Sequence, residues 1–351
     1  MKVLITGGVG FIGQHLARRL APDHALVALD CLLHQVHLDA DASRAAFPGE
    51  VVVADVSDPT TWGSLPRPDA LVHLAAETGT GQSMYEQDRY ARVNVDGTRL
   101  AGEAAARWNV PLISMSSRAV YGEGRYECSR HGVQFGGQCC TEAQPAPSQE
   151  GDEHHPVSVY GETKSAGESA LSDIARHIPV TIIRPQNVVG PGQALHNPYT
   201  GVLAAFLARL REGKDLLVYG DGSATRDFVH VSDLAALIDW ALSHPPESGT
   251  ARLLNSGTGI RTSLDELAQA AIDGSPRSDL GINHVDVHRA GDIEHACADL
   301  ALLRAAGAPP VRWTSRAAIM DFIAWSWDKP GATSRAWDDA LKELDKRGLT
   351  Q

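Results

Sequence analysis

The sequence has 351 residues, 43% hydrophobic and 21% charged, the composition of an ordinary folded chain long enough for one large or two modest domains. Its 43 acidic against 31 basic residues give a formal net charge of -12. Such a surface repels nucleic acid and anionic membranes, so neither is expected as a partner, and a phosphate-bearing ligand would need a local pocket of arginines and backbone amides.

No apolar run approaches the roughly 18 residues of a membrane span. The first strand is expected to start directly after Met1, so no signal peptide is expected. Five cysteines, an odd count, fit reduced thiols in the cytoplasm better than a disulfide framework.

Short apolar runs at 2–6, 26–30, 51–54, 70–74, 111–116 and 180–184 read as parallel strands buried on both faces. Helical patterns at 11–20, 84–108 and 160–177 alternate with them, which predicts an α/β fold, a doubly wound Rossmann sheet over residues 1–184. From 185 to about 330 glycine- and proline-rich loops separate short strands from helices at 201–211, 232–243 and 263–272, a smaller, interleaved ligand-binding lobe. Helices near 233–244 and 314–327 are expected to return to the first domain, and 331–351 to form a tail or polar helix. Residues 123–155 read as a loop insertion, poor in apolar residues, at the carboxyl edge of the sheet and so over the site.

After the first strand comes Thr6-Gly-Gly-Val-Gly-Phe-Ile-Gly13. Gly7 permits a tight turn, Gly10 lets backbone approach a pyrophosphate, and Gly13 lets the helix pack on the strand. Asp30 ends the second strand, seventeen residues after Gly13. Its carboxylate would accept from an adenosine ribose and repel a 2′-phosphate, which selects NAD over NADP. Tyr160 and Lys164 lie four apart on one helix face, where the cation would lower the phenol's pKa toward a working base.

The glycine pattern, Asp30, His73-Leu-Ala-Ala76, Asn94-Val-Asp-Gly-Thr98, the serines before Val120-Tyr-Gly122, Tyr160-x-x-x-Lys164 and Arg184-Pro-Gln-Asn187 resemble the extended short-chain dehydrogenase/reductases. More narrowly they are similar to the NAD-dependent nucleotide-sugar epimerase/dehydratase group, over residues 1 to about 327. The resemblance implies Ser117, Tyr160 and Lys164 as catalytic residues. It implies contacts to NAD from Gly7, Gly10, Phe11, Ile12, Gly13, Asp30, Asp55, Val56, Leu74, Ala75, Ala76, Asn94, Lys164 and Pro185. It implies substrate contacts from Ser117, Asn187, Val218, Tyr219, Arg226, Arg289 and Asp292, the two arginines clamping a diphosphate. A homodimer paired through the 84–108 and 160–177 helices is implied too.

In the same group, dehydratases carry Asp-Glu after the catalytic Thr, and decarboxylases a Glu two residues before the Tyr of the Val-Tyr-Gly motif. Here Arg118-Ala119 stands instead, so elimination lacks its acid and epimerisation is favoured. Gly81-Gln-Ser-Met-Tyr85 and Arg289-Ala-Gly-Asp-Ile293 resemble nucleotide-sugar 4-epimerases acting on dTDP-rhamnose or related deoxysugars, with UDP-linked sugars the other option. The alternatives are a dehydrogenase, ketosugar reductase or 4,6-dehydratase on the same fold, or a non-catalytic NAD-binding sensor.

Within the insertion, Cys128, His131, Cys139 and Cys140 contain the ligand types of a zinc site. The spacing is not that of a standard knuckle, and adjacent cysteines rarely share an ion. The expectation is a reduced, metal-free loop, with structural zinc as the alternative.

Overall fold

The computed structural model describes residues 1–196, 201–286 and 292–331, with scattered positions beyond. Seven strands form an all-parallel sheet in the order Arg252–Ser256, Val180–Pro185, Leu112–Met115, Ala70–His73, Lys2–Thr6, Ala25–Asp30 and Glu50–Val53. The chain reverses its direction of travel across the sheet between Lys2–Thr6 and Ala70–His73, and the carboxyl ends there open the crevice where such folds bind ligands.

Two cores cover the two faces. One joins Val3, Ile5 and Val72 to Leu16 of the Phe11–Leu20 helix and to Leu234, Ile238 and Leu242 of the Val231–Ser243 helix. The other joins Leu4, Leu71 and Ile182 to Leu100 and Ala104 of Gly97–Trp108 and to Leu171 of Val159–Ile174.

A third core belongs to the smaller lobe, where Phe206 and Leu210 of Val202–Arg211 meet Leu267 and Ile272 of Leu264–Asp273. The Ser315–Ser326 helix, expected on the first domain, packs here instead: its stripe Ala318, Ile319, Phe322 and Ile323 is buried in that core.

Three further departures from the sequence reading have local causes. Arg252–Ser256 was not expected as a strand because it ends in Asn255 and Ser256, polar side chains that the fold buries against partners. The 84–108 pattern is not one α-helix. A π turn at Ala91–Asp96 separates Gln87–Tyr90 from Gly97–Trp108 and turns Asn94 inward. The insertion is not merely loop: Arg125–Cys128 pairs antiparallel with Gly132–Phe135 and with Gln144–Ala146. Alternation in Tyr126, Glu127 and Cys128 puts the first and third side chains inside, and Gly132, at a φ of 72°, closes the hairpin.

Candidate active site

A cleft of about 700 Å³ runs along the carboxyl edge of the sheet. Its floor is the glycine turn. Gly7 has a φ of 64°, and a Cβ there would stand 2.9 Å from the Ala75 amide nitrogen. A Cβ on Gly13 would fall 2.4 Å from the Gly7 carbonyl oxygen, so only hydrogen lets the helix begin this close to the strand. The result is a concave backbone surface that a side chain would fill, with the amino end of the Phe11–Leu20 helix facing it, which fits a pyrophosphate.

One wall is held by buried hydrogen bonds. Thr6 Oγ1 accepts from the Leu74 and Ala75 amides at 3.2 Å each and lies 2.8 Å from His73 Nδ1. His73 Nε2 meets Thr98 Oγ1 at 3.1 Å. Burial, aided by the Lys164 charge, pushes the His73 imidazole down to about 3, so it is neutral and serves as a strut. Asp30 closes one end of the cleft, its carboxylate accepting from the Val9 and Leu32 amides. Buried His37 lies 3.7 Å from it. Asp55 accepts from Ser57 and Arg92, which hold its carboxyl below the usual range against the opposing effect of burial.

At the other end, strand Leu112–Met115 delivers Ser116 and Ser117, and helix Val159–Ile174 delivers Tyr160 and Lys164. The Ser158 side chain caps that helix by accepting from the Gly161 amide. Gly161 sits so close to the Ala119 carbonyl that a Cβ would lie 2.6 Å from it, and the neighbouring Tyr160 phenol is acted on by the Ser117 hydroxyl. Tyr90 packs edge-on against the Tyr160 ring at 6.4 Å. Lys164 is buried; its Nζ donates to the Met115 carbonyl at 3.0 Å and lies 6.0 Å from the Tyr160 ring centre.

The electrostatics differ from the sequence expectation. Burial raises the Tyr160 phenol above its ordinary value, and the groups that oppose this are Ser117 and Arg118, not Lys164. Lys164 itself is pushed down to about 8 by burial, with Glu168 pulling the other way. Beneath the pair, Glu168 takes two hydrogen bonds from Arg184, at 2.6 and 2.8 Å, and one from Ser116. Arg184 also donates to Tyr121, whose hydroxyl donates to Asn255.

A glycine-floored cleft, an acid at the second strand and a Ser–Tyr–Lys group at its far end are thus assembled in one place. The family model described as "NAD dependent epimerase/dehydratase family" matches residues 3–257. The chain belongs to that family. It is 37% identical to a dTDP-L-rhamnose 4-epimerase of Burkholderia thailandensis over 92% of this chain and 94% of that protein. It is 33% identical to a UDP-glucose 4-epimerase of Mycolicibacterium smegmatis, covering 77% of this chain and 81% of the other. Among solved structures, a UDP-N-acetylglucosamine 4-epimerase of Methanobrevibacter ruminantium, in complex with UDP-N-acetylmuramic acid, superposes with a TM-score of 0.76 at 25% identity, covering 92% and 97% of the two chains. NAD is the cofactor of this epimerase/dehydratase chain, and the residues of the cleft fit it.

The residues singled out from sequence distribute unevenly over the family's site. Gly7, Gly10, Phe11, Ile12, Gly13, Asp30, Asp55, Val56, Leu74, Ala75, Ala76, Lys164 and Pro185 all line the cleft, as do Ser117, Tyr160 and Asn187. Asn94 does not. Its amide is spent on both backbone groups of Glu77 and on Thr163, so it braces the wall from behind. Val218 is a core residue of the small lobe, 2% exposed, and is not among the residues that line the cleft. Tyr219 and Arg226 are half-buried and Asp292 is exposed, all outside the cleft lining. Arg289 lies outside the described residues.

Arg118 was noted in the sequence only as a missing acid. It is a positive feature of the site: burial and the neighbouring Arg226 hold its guanidinium down to about 10, and its charge acts on Tyr160. Glu123 faces both arginines and accepts from the Glu294 amide at 3.0 and 3.1 Å. Nothing in the spacing marked Glu123 or Glu294, which are 171 positions apart.

Proposed function

We propose that this chain is a nucleotide-sugar 4-epimerase working through a transient 4-ketosugar. The observation that carries the reading is the cation beside the Ser117–Tyr160 pair. Position 118 presents a guanidinium to Tyr160 where an eliminating relative would need a carboxylic acid. A group that cannot deliver a proton to a leaving hydroxyl leaves oxidation and reduction at one carbon as the chemistry available.

Tyr160 takes the proton of the sugar 4-hydroxyl while Ser117 donates a hydrogen bond to the same oxygen. Ser117 and Arg118 favour the phenolate that this requires, against the burial that raises the phenol. Bound NAD supplies the hydride acceptor and donor, and is unchanged over a full cycle. Tyr160 then returns its proton to the oxygen after the ketosugar has turned over. Arg226, with Arg289, is the proposed diphosphate clamp, which gives an acidic protein its local positive pocket. The 37% identity to a dTDP-L-rhamnose 4-epimerase supports a dTDP-linked 6-deoxysugar as substrate, with UDP-sugars the competing class.

Incubation of purified protein with dTDP-L-rhamnose, UDP-glucose and UDP-N-acetylglucosamine, without added cofactor, tests this. NMR should show the C4 epimer of the dTDP sugar and no accumulation of NADH. A 4-keto-6-deoxy product or net NADH would refute epimerisation in favour of a dehydratase or dehydrogenase.

The five free cysteines support a cytoplasmic setting. No described helix is long and apolar enough to cross a membrane. The Gly97–Trp108 and Val159–Ile174 helices pack together, Gly102 against Leu171 and Ile174, and would offer a paired face to a second copy. Sedimentation as a dimer at micromolar concentration would support a homodimer; a monomer would refute it.

A further inference from the structure

The three-stranded part of the insertion, residues 125–146, has almost no core of its own. Its buried apolar cluster is Tyr126, Cys128 and Ala143, with Cys140 packed against it, so half of the cluster's members are thiols. A three-stranded sheet of such short strands needs some other source of cohesion. The side chains meeting at its centre show what that source is.

Cys128 Sγ lies 3.5 Å from His131 Nδ1 and 3.6 Å from Cys140 Sγ. Cys139 and Cys140 place their sulfurs 3.4 and 3.8 Å from the same ring nitrogen. All four ligand atoms fall within 4.8 Å of one another. A tetrahedron with Zn–S bonds of about 2.3 Å and a Zn–N bond of about 2.0 Å has edges of roughly 3.8 Å between sulfurs and roughly 3.5 Å between sulfur and nitrogen. The separations match those edges. They are too long for a disulfide, whose sulfurs stand about 2.05 Å apart.

The surroundings suit a thiolate-bound cation. The two ligand-bearing turns are tied together from outside, Ser129 Oγ donating to Glu142 at 2.7 Å and Arg130 pairing with the same carboxylate at 2.5 Å. The fold therefore answers the objection raised by the spacing. The turn at Gly132 folds His131 back toward Cys128, and Cys139 and Cys140 both come within reach of the same nitrogen. Among the described residues this is the one His/Cys/acid group of ligand geometry.

We propose that Cys128, His131, Cys139 and Cys140 bind one zinc ion that serves as the core of this insertion. The role is structural: all four positions on the metal are taken by protein, which leaves none for a substrate. Its reach is nonetheless functional. The insertion is rooted at Glu123, which faces Arg118 and Arg226, and at Arg125, which pairs with Asp152 at 2.8 Å. Metal binding would fix one wall of the sugar-facing side without touching the cofactor cleft.

The full-length protein, purified under reducing conditions, is titrated with zinc against a chromophoric chelator, and separately loaded with cobalt. One zinc per chain is expected, with the thiolate charge-transfer and strong ligand-field absorption of tetrahedral cobalt. Cys128→Ser and Cys139→Ser should each weaken zinc binding by more than the roughly 10–100-fold typical of changing a group that merely orients a ligand, while Cys297→Ser keeps full stoichiometry. Cys139 is exposed, so its variant tests the ligand set without disturbing a core, and retained NAD reports that the fold is intact. Chelation should also open residues 125–146 to limited proteolysis while NAD stays bound. No zinc uptake by the wild type, cobalt spectra without thiolate bands, or unchanged zinc affinity in both ligand variants would overturn the proposal.

Discussion

The cofactor cleft is walled by backbone, whereas the neighbouring region around Arg118 is built of long side chains. Around Gly7 and Gly13 the surface is shaped by what is absent, the Cβ atoms that would strike Ala75 or the Gly7 carbonyl. Every element there comes from the sheet's own carboxyl edge. Around Arg118 the surface is made of guanidiniums and carboxylates, contributed by positions 118, 123, 226 and 294 and drawn from the sheet, the insertion and the small lobe. A backbone surface can accept one ligand shape and little else. A side-chain surface can be altered residue by residue, which is how one cofactor frame can serve different sugars.

Tyr160 stands where the two surfaces meet, and its removal gives the largest expected effect. Tyr160→Phe should lower the rate of C4 epimerisation by about 10²–10⁴-fold, the usual contribution of a positioned acid–base group. NAD content should not change. An unaltered rate, followed by NMR of the sugar, would remove Tyr160 from the mechanism and with it the claim that the surfaces join there.

Gly13→Val comes next and tests the backbone wall directly. Its side chain would meet the Gly7 and Gly8 carbonyls at 2.4–2.5 Å, so the turn must open. Overpacking of this kind costs about 1–3 kcal/mol, and the purified variant should come off the column largely without NAD, as read by absorbance of the denatured protein. Full retention would mean that the cradle is softer than the geometry implies.

How much of this was legible in the sequence follows the same division. The cleft was readable because its determinants are short-range: a glycine every third residue, an acid closing the next strand, a Tyr and a Lys one helical turn apart. The place of Asn94 behind the wall was not legible, because the π turn that puts it there leaves no trace in a helical pattern. The core position of Val218 was not legible, because an apolar residue on a short strand gives no sign of whether it faces core or ligand. Arg118 was seen but read negatively, since only the fold shows that its charge reaches Tyr160. The cysteine cluster was legible as composition and not as geometry, because its closure depends on the strand pairings of the insertion.

Arg118→Ala sharpens the comparison from the side-chain surface. Losing a charge that favours the Tyr160 phenolate costs about 1.5–3 kcal/mol, so kcat for C4 epimerisation should fall by roughly 10–100-fold. NAD retention should be unaffected. Steady-state kinetics over the sugar concentration, alongside cofactor content, separates the two. A loss of NAD would show that the surfaces are not independent.

The smallest effect concerns the strut behind the cleft. His73 is wholly buried between Thr6 and Thr98, and its folded-state pKa of about 3 lies far below the 6.5 of the unfolded chain. Between those values the unfolded state binds the extra proton, so stability is fully present above about pH 6.5 and is lost as the pH falls toward 3. The slope from this one group is at most about 1.4 kcal/mol per pH unit. Urea unfolding at pH 7, 6 and 5 should follow that trend in the parent chain. His73→Gln, which can still span the two threonines but cannot titrate, should be less stable at pH 7 yet lose less on acidification. If both chains lose stability in parallel, the acid sensitivity belongs to other groups. The imidazole would then be a packing element whose hydrogen bonds matter and whose neutrality does not, and the backbone wall would owe its rigidity to the Thr6 contacts alone.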